Sequence, residues 1–314
     1  MFDILRYTAD RADEWNDFVA HSKNGTFLFD RRYMDYHADR FRDHSLMVYD
    51  KGRLCAVLPA NDDGQGTLWT HQGLTYGGLV MNANSRAAQV REIFILLNDY
   101  LRQQGFCCVV YKQVPTVYTL LPSGEDLFAL YNVCHATLRS RDVASVVDLT
   151  ARLPFTTLRR RGVNKARRAG VVVGEVDDYA PFWQLLEDNL WQRFEARPVH
   201  TLQEIALLHS RFPDNIRLCV ARGPQGLLGG TVLFVCGQTI KTQYISANEE
   251  GKQTGALDFL FDSLLSRFAS EGLRYFDFGT SNLVVNDDLN EPLIFQKEGF
   301  GGRAVCYDTY EWKL

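Results

Sequence analysis

Gly251-Lys252-Gln253-Thr254-Gly255-Ala256-Leu257-Asp258 leads into an apolar stripe of Leu257, Leu260, Phe261, Leu264, Leu265 and Phe268. The chain then runs through Tyr275-Phe276-Asp277-Phe278-Gly279 to Phe295-Gln296-Lys297-Glu298-Gly299-Phe300-Gly301-Gly302. The three-and-four spacing of the stripe predicts a helix, Gly272 stops it, and Leu273 to Phe278 reads as a strand. A glycine at a helix mouth leaves backbone N–H groups uncovered where the helix dipole adds partial positive charge. The segment is therefore expected to hold a phosphate of a phosphorylated cofactor.

Working upstream, the same order of elements occurs a second time. Ile93, Phe94, Leu96, Leu97, Tyr100 and Leu101 form a helical stripe, Gly105 stops it, and Phe106 to Tyr111 reads as a buried strand. Before each helix lies a hairpin-like pair: Arg53 to Ala60 with Gly66 to Val80, and Leu227 to Val235 with Thr239 to Ala247. Earlier still, helices are expected near Arg31 to Phe41 and Pro181 to Phe194. The repeat predicts two mixed α/β domains, 1–150 and 151–314, with a boundary after the strand Ala144 to Leu149. Binding sites favour domain interfaces, so a ligand groove is expected near the junction.

At 314 residues, 46% hydrophobic and 23% charged, the chain can bury a sizeable core and has room for about two domains. A net charge of −4 gives no whole-protein attraction to nucleic acid or to anionic membranes, so any such binding must be local. The first residues lack the pattern of a signal peptide and no apolar run is long enough to span a bilayer, which predicts a cytoplasmic protein. Seven cysteines without a C-x-x-C pair are expected to be reduced and mostly buried. The Cys134-His135 and Cys107-Cys108 pairs lack metal-ligand spacing, and neither a Gly-x-Ser-x-Gly elbow nor a phosphate-binding Walker loop is present.

These residues together resemble the GCN5-related N-acetyltransferase (GNAT) superfamily, in the double-domain branch that includes the Fem-type peptidoglycan aminoacyl ligases. The resemblance rests on Leu74-Thr75-Tyr76-Gly77-Gly78-Leu79, Asn164 to Val171, Lys241-Thr242-Gln243-Tyr244-Ile245, Gly255 to Asp258, Phe276 to Gly279 and Gln296 to Gly301. It implies an α/β fold of two tandem GNAT-like domains, each a mixed, largely antiparallel sheet flanked by helices. It also implies transfer of an acyl group from acetyl-CoA or another acyl-CoA, with no metal. On this pattern Lys252, Gln253, Thr254, Gly255 and Ala256 cradle the donor's pyrophosphate. Gln243 and Tyr244 lie on the splayed strand that contacts the thioester, and Arg160 reaches a donor phosphate. Two departures stand out: Leu257 replaces the last small residue of the phosphate signature, and Phe295 stands where the superfamily often has a tyrosine to protonate the leaving thiolate. That role would pass to Tyr307, Tyr310 or water.

Acyl transfer to an amine needs a neutral nucleophile, a donor for the developing oxyanion, and orientation. Candidate bases are Asp277, at a strand end, Glu298, beside Lys297, and His200, beside a helix start capped by Thr201 with Glu204 three residues on. Each has a structural alternative: a backbone-capping carboxylate, a solvated ion pair, and a capping-loop histidine. Arg193 is read as a clamp for carboxylate or phosphate, or as a partner of Glu187 or Glu195. Lys241, Lys297, Tyr76 and Gly77 are expected to contact substrate, with a strand bend as the alternative for the Gly77-Gly78 pair. The cations Arg159, Arg160, Arg161, Lys165, Arg167 and Arg168 are either an anion site or a solvated helix face.

Three functions compete at this point. The first is an acyl-CoA-dependent N-acyltransferase acting on a small amine, such as an amino sugar or amino acid derivative used in the bacterial cell envelope, with the first domain shaping the acceptor groove. The second is a Fem-type transferase using charged tRNA, which the acidic composition disfavours. The third is a duplicated fold that binds without catalysing.

Overall fold

Both predicted stripes are helical, ending on Gly105 and Gly272, and each helix is followed by the expected strand. The computed structural model describes residues 2–283 and 288–314. The chain divides into two units, Met1–Asp142 with Cys306–Leu314, and Val143–Val305.

The first unit contains strands β1 (Phe2–Arg6), β2 (Arg42–Asp43), β3 (Leu46–Asp50), β4 (Arg53–Leu58), β5 (Asn61–Asp62), β6 (Thr67–Trp69), β7 (Val80–Met81) and β8 (Cys108–Lys112). Its helices are α1 (Ala12–Ala20), α2 (Arg31–Met34), α3 (Ala87–Gln103) and α4 (Glu125–Asn132). Strands β1, β3, β4 and β7 form an antiparallel sheet in that order. Strand β9 (Thr137–Asp148) begins in this unit and ends in the second. Residues 306–314 return to the first unit, where Thr309 to Lys313 pair antiparallel with β8. The buried Trp312 joins Phe94, Leu97, Val109 and Tyr111 in the core, and its indole N–H donates to Asn98 Oδ1 at 3.0 Å. Burying side chains of this size stabilises by roughly 1.5–3 kcal/mol each, which ties the C-terminal segment to this core.

Four expectations are corrected here. The break after residue 150 gives way to one at Asp142/Val143, and the last nine residues of 151–314 belong with the first unit because their strand completes its core. Arg53–Leu58 forms its hairpin with the preceding β3, through a turn at Lys51 and Gly52, both at positive φ, and of the expected Gly66–Val80 segment it pairs only with Val80, in β7. The helix expected over 31–41 is only α2 plus a 3₁₀ turn at Asp35–His37. Of the seven free cysteines, only Cys134, Cys219 and Cys236 are buried; Cys107 and Cys306 are exposed.

The second unit carries α5 (Thr157–Arg168), β10 (Val172–Val176), α6 (Ala180–Phe194), α7 (Leu202–Arg211), β11 (Ile216–Gly223), β12 (Gly226–Cys236) and β13 (Thr239–Ala247). It continues through α8 (Glu249–Thr254), α9 (Ala256–Ser270), β14 (Tyr275–Thr280), α10 (Glu291–Glu298) and the start of β15 (Arg303–Lys313). The sheet order is β10-β11-β12-β13-β14-β9, antiparallel except for β13 with β14. Alternate residues face opposite sides: Cys219, Ala221, Leu233 and Ile240 meet α9, whereas Gly230 faces Phe182 of α6 and Tyr244 faces Trp183. Thr201 and Glu204 form the expected capping box on α7.

Gly77 and Gly78 are packing residues. A side-chain carbon on Gly77 would stand 1.8 Å from the Thr70 carbonyl oxygen, and one on Gly78, at φ +89°, would strike the Tyr111 ring at 2.6 Å. Gly77→Ala is expected to destabilise the protein by about 2 kcal/mol or more, read as a lower thermal midpoint. An unchanged midpoint would return this pair to the role of a ligand-facing bend.

Candidate active site

Strands β13 and β14 pair over only three positions, Thr239 with Tyr275, Ile240 with Phe276 and Lys241 with Asp277. Beyond Lys241, β13 runs on to Ala247 without β14 beside it. A register slip between Val232 and Leu233 leaves Gln243 as an extra residue in β13, a bulge that bends the strand where the two part.

A cavity of about 540 Å³ opens at this divergence. Its wall is apolar: Leu186, Leu190 and Phe194 from α6, Ile245 from β13, Leu257 and Phe261 from α9, Phe278 from β14, Leu293 from α10, and Phe300. Asn189 bridges α6 to β13, donating to Ser246 Oγ at 2.6 Å and to the Ala247 carbonyl at 3.0 Å. Arg193, Lys252 and Lys297 line the cavity, and among the described residues no carboxylate does. Such a chamber suits an apolar ligand that carries or develops negative charge.

Below the divergence lies a buried set of charges. Asp277 has no solvent exposure, and its Oδ1 accepts from the Gly279 N–H at 2.7 Å. The buried Lys297 ammonium donates to the carbonyls of Gly279 at 2.9 Å and Thr280 at 2.6 Å. Burial pushes Lys297 down to about 8, with Asp277 opposing the shift and Lys241 adding to it. Burial likewise lowers Lys241, again opposed by Asp277, and its ammonium donates to Gln243 Oε1 at 2.9 Å. Asp277 thus caps the backbone at Gly279 and counters two lysines.

The expected phosphate cradle is closed. Gly255 does adopt positive φ, +77°, between α8 and α9, but a side-chain carbon there would stand 2.6 Å from the Gly162 carbonyl oxygen of α5. Ala256 is fully buried, and Arg159 of α5 holds Asp258, in the first turn of α9, at 2.9 Å. Burial raises Asp258 while Arg159 opposes the rise. Helix α5 therefore covers the mouth of α9. Lys252 of the predicted set reaches the cavity, and its ammonium also pairs with Glu249; Gln253 is exposed, and Thr254 donates to the Glu250 carbonyl at 2.8 Å. Arg160 lies on the exposed side of α5, outside this cavity.

The other candidates separate. His200 is buried, and its Nδ1 lies 2.6 Å from Tyr244 Oη, whose titration burial pushes up; neither residue lines the cavity. Glu298 is exposed, while its expected partner Lys297 is turned inward onto carbonyls. Tyr307 belongs to the first unit, where its hydroxyl donates to Tyr118 Oη at 3.0 Å and its ring meets Tyr76. Arg193 is exposed at the cavity, and among the described residues neither Glu187 nor Glu195 pairs with it. The sequence reading missed Leu186, Asn189, Leu190 and Phe194. Their signal was the three-and-four spacing through 186, 189, 190 and 193, with a polar Asn189 and a cation inside an otherwise apolar stripe.

Among the described residues no group of three or more metal-ligating side chains converges, and no helix is long and apolar enough to cross a membrane. Residues 157–287 match the family described as acetyltransferase (GNAT) domain. Comparison with curated protein sequences gives no match. Among solved structures, FemX is similar over 99% of this chain and 97% of its own, with a TM-score of 0.71 at 10% identity. The C-terminal domain of a protein described as a lysylphosphatidylglycerol synthetase from Agrobacterium fabrum is similar over 96% and 91%, with a TM-score of 0.62 at 14% identity. A protein titled L-PGS from Bacillus licheniformis is similar over 97% and 91%, with a TM-score of 0.60 at 13% identity. The splayed parallel pair, the bulge and these likenesses agree: the chain has the double-domain fold of FemX, and its second unit holds the segment that matches the acetyltransferase (GNAT) domain.

Proposed function

We propose that the chain is an N-acyltransferase that takes an acyl group from acyl-CoA and passes it to the amine of a small acceptor by direct attack in a ternary complex. The observation that carries this reading is the apolar cavity at the β13–β14 divergence, with Arg193 and Lys252 on it and the buried Lys297 ammonium inside. The thioester arm enters between the two strands, and the donor's phosphates meet Arg193 and Lys252 rather than the closed mouth of α9. The acceptor nitrogen attacks the thioester carbon, the C–S bond breaks, and the CoA thiolate leaves. Negative charge develops on the carbonyl oxygen and then on sulfur, and Lys297 counters it at short range in a site of low dielectric.

Among the described residues the cavity offers no carboxylate or histidine as a base; on this reading the amine arrives neutral and passes its remaining proton to water or to the leaving thiolate. The closure of α9 by α5 favours a second donor, aminoacyl-tRNA, because it removes the expected pyrophosphate cradle. The acceptor is read as an amino sugar or amino acid derivative of the cell envelope, acted on in the cytoplasm.

Calorimetric titration with acetyl-CoA, a longer acyl-CoA and free CoA separates the donors. Micromolar binding is expected, weakened at least about tenfold in an Arg193→Ala, Lys252→Ala double variant as two phosphate contacts are lost. No heat with any CoA species on the intact protein would sink the acyl-CoA reading and turn attention to charged tRNA. With a productive acceptor, Lys297→Met is expected to lower kcat about a hundredfold or more with little change in donor affinity, the signature of a charge acting mainly in the transition state.

Lys297 also makes a pH prediction. Its folded value of about 8 lies below the ordinary 10.5, so between these limits the unfolded chain binds more protons. Its contribution to stability therefore rises with pH through that window and is lost as pH falls through 8. Thermal midpoints of the wild type minus those of Lys297→Met should increase from pH 8 to 10; a flat difference would contradict the assigned burial.

A further inference from the structure

Helix α5 carries six cations and no carboxylate in a chain whose net charge is −4. Its inner side, Gly162, Val163 and Ala166, packs toward α9, and Arg159 and Arg167 are held there by Asp258 and Asp262, each at 2.9 Å. The other four, Arg160, Arg161, Lys165 and Arg168, are exposed, and among the described residues none of them forms an ion pair. Leu158, 57% exposed, stands on the same helix, and Leu153, 42% exposed, lies just before it. A second cavity, about 560 Å³, opens beside them, walled by Leu153, Pro154, Phe155 and Val163 and edged by Arg152, Arg160 and Arg167.

We propose that this face docks on an anionic phospholipid surface, with lipid phosphates on the four unpaired cations and on the arginine edge of the cleft, and with Leu153 and Leu158 entering the headgroup boundary. Charge complementarity names the partner's sign. The exposed leucines name its kind, because cations alternating with exposed apolar side chains suit an interface that is charged outside and apolar beneath. A nucleic-acid backbone would satisfy the cations but leave both leucines in water, and α5 presents no aromatic ring on which a base can stack. The net charge of −4 does not oppose docking, since the carboxylates that reach α5, Asp258 and Asp262, the latter on the cleft, are taken up by Arg159 and Arg167. The inference does not depend on the reaction proposed above.

The test is co-sedimentation of the full chain with phosphatidylcholine vesicles, with and without phosphatidylglycerol, at low and high salt. Binding is expected only with phosphatidylglycerol, weakening as salt rises. Replacing Arg160, Arg161, Lys165 and Arg168 together by Gln should weaken partitioning at least about tenfold. Leu153→Ser with Leu158→Ser should leave low-salt binding but remove what survives at high salt. These positions are exposed, so the variants should melt as the wild type does, and a separate charge reversal at Asp99, on α3 of the first unit, serves as a charge control. Equal binding to neutral vesicles, no binding at low salt, or binding that is unaffected by the four glutamines would overturn the proposal. So would an RNA hairpin that displaces the vesicles and depends on the same four cations.

Discussion

The second unit depends on the placement of one carboxylate. Asp277 stands opposite Lys241 at the last pair joining β13 to β14, without contact with water, and a buried ion there costs several kcal/mol unless its partners are well placed. The Gly279 N–H is one such partner, and the Lys241 and Lys297 charges add to it. Lys297, in turn, closes the end of β14 by holding the Gly279 and Thr280 carbonyls, which fixes α10 against the strand. The two strands are joined at this point and released beyond it, so the same charges that stabilise the sheet define where the cavity begins.

Much of this was legible in the sequence. The stripe ending at Gly272 and the β12–β13 hairpin were read correctly because each rests on local chemistry: helical spacing, a glycine stop, a short connection. The missed strand β3 was also local, since Leu46-Met47-Val48-Tyr49 is a continuous apolar run bounded by Lys51-Gly52. It lacks the alternation of a half-buried strand because nearly every residue in it is buried. What no local reading supplies is which distant element covers a given spot. Gly255 looks open in sequence, but the backbone of Gly162 lies against it, and Asp277 reads equally as base or cap until Gly279 and the two lysines are placed.

The helix α5 therefore has two faces with different duties. Its inner face fixes the start of α9 through a glycine-to-glycine contact and the Arg159–Asp258 pair, and it removes from that helix the anion site its sequence suggests. Its outer face keeps four cations that, among the described residues, form no ion pair. Leu257, the departure from the family pattern, loses its apparent conflict in this arrangement: its side chain serves as cavity wall, not as an obstacle in a phosphate loop.

The return of residues 306–314 to the first unit sets an order on biosynthesis. Strand β8 awaits its antiparallel neighbour, and Asn98 awaits the Trp312 indole, until residues 306–314 have left the ribosome. At ordinary elongation rates the interval between the emergence of residue 142 and of residue 306 is roughly ten to thirty seconds. Throughout it the nascent first unit presents an unpaired strand edge, while the intervening segment, which holds strands β10 to β14, emerges and becomes available to fold. Vectorial synthesis thus favours a protein that completes its second unit before its first.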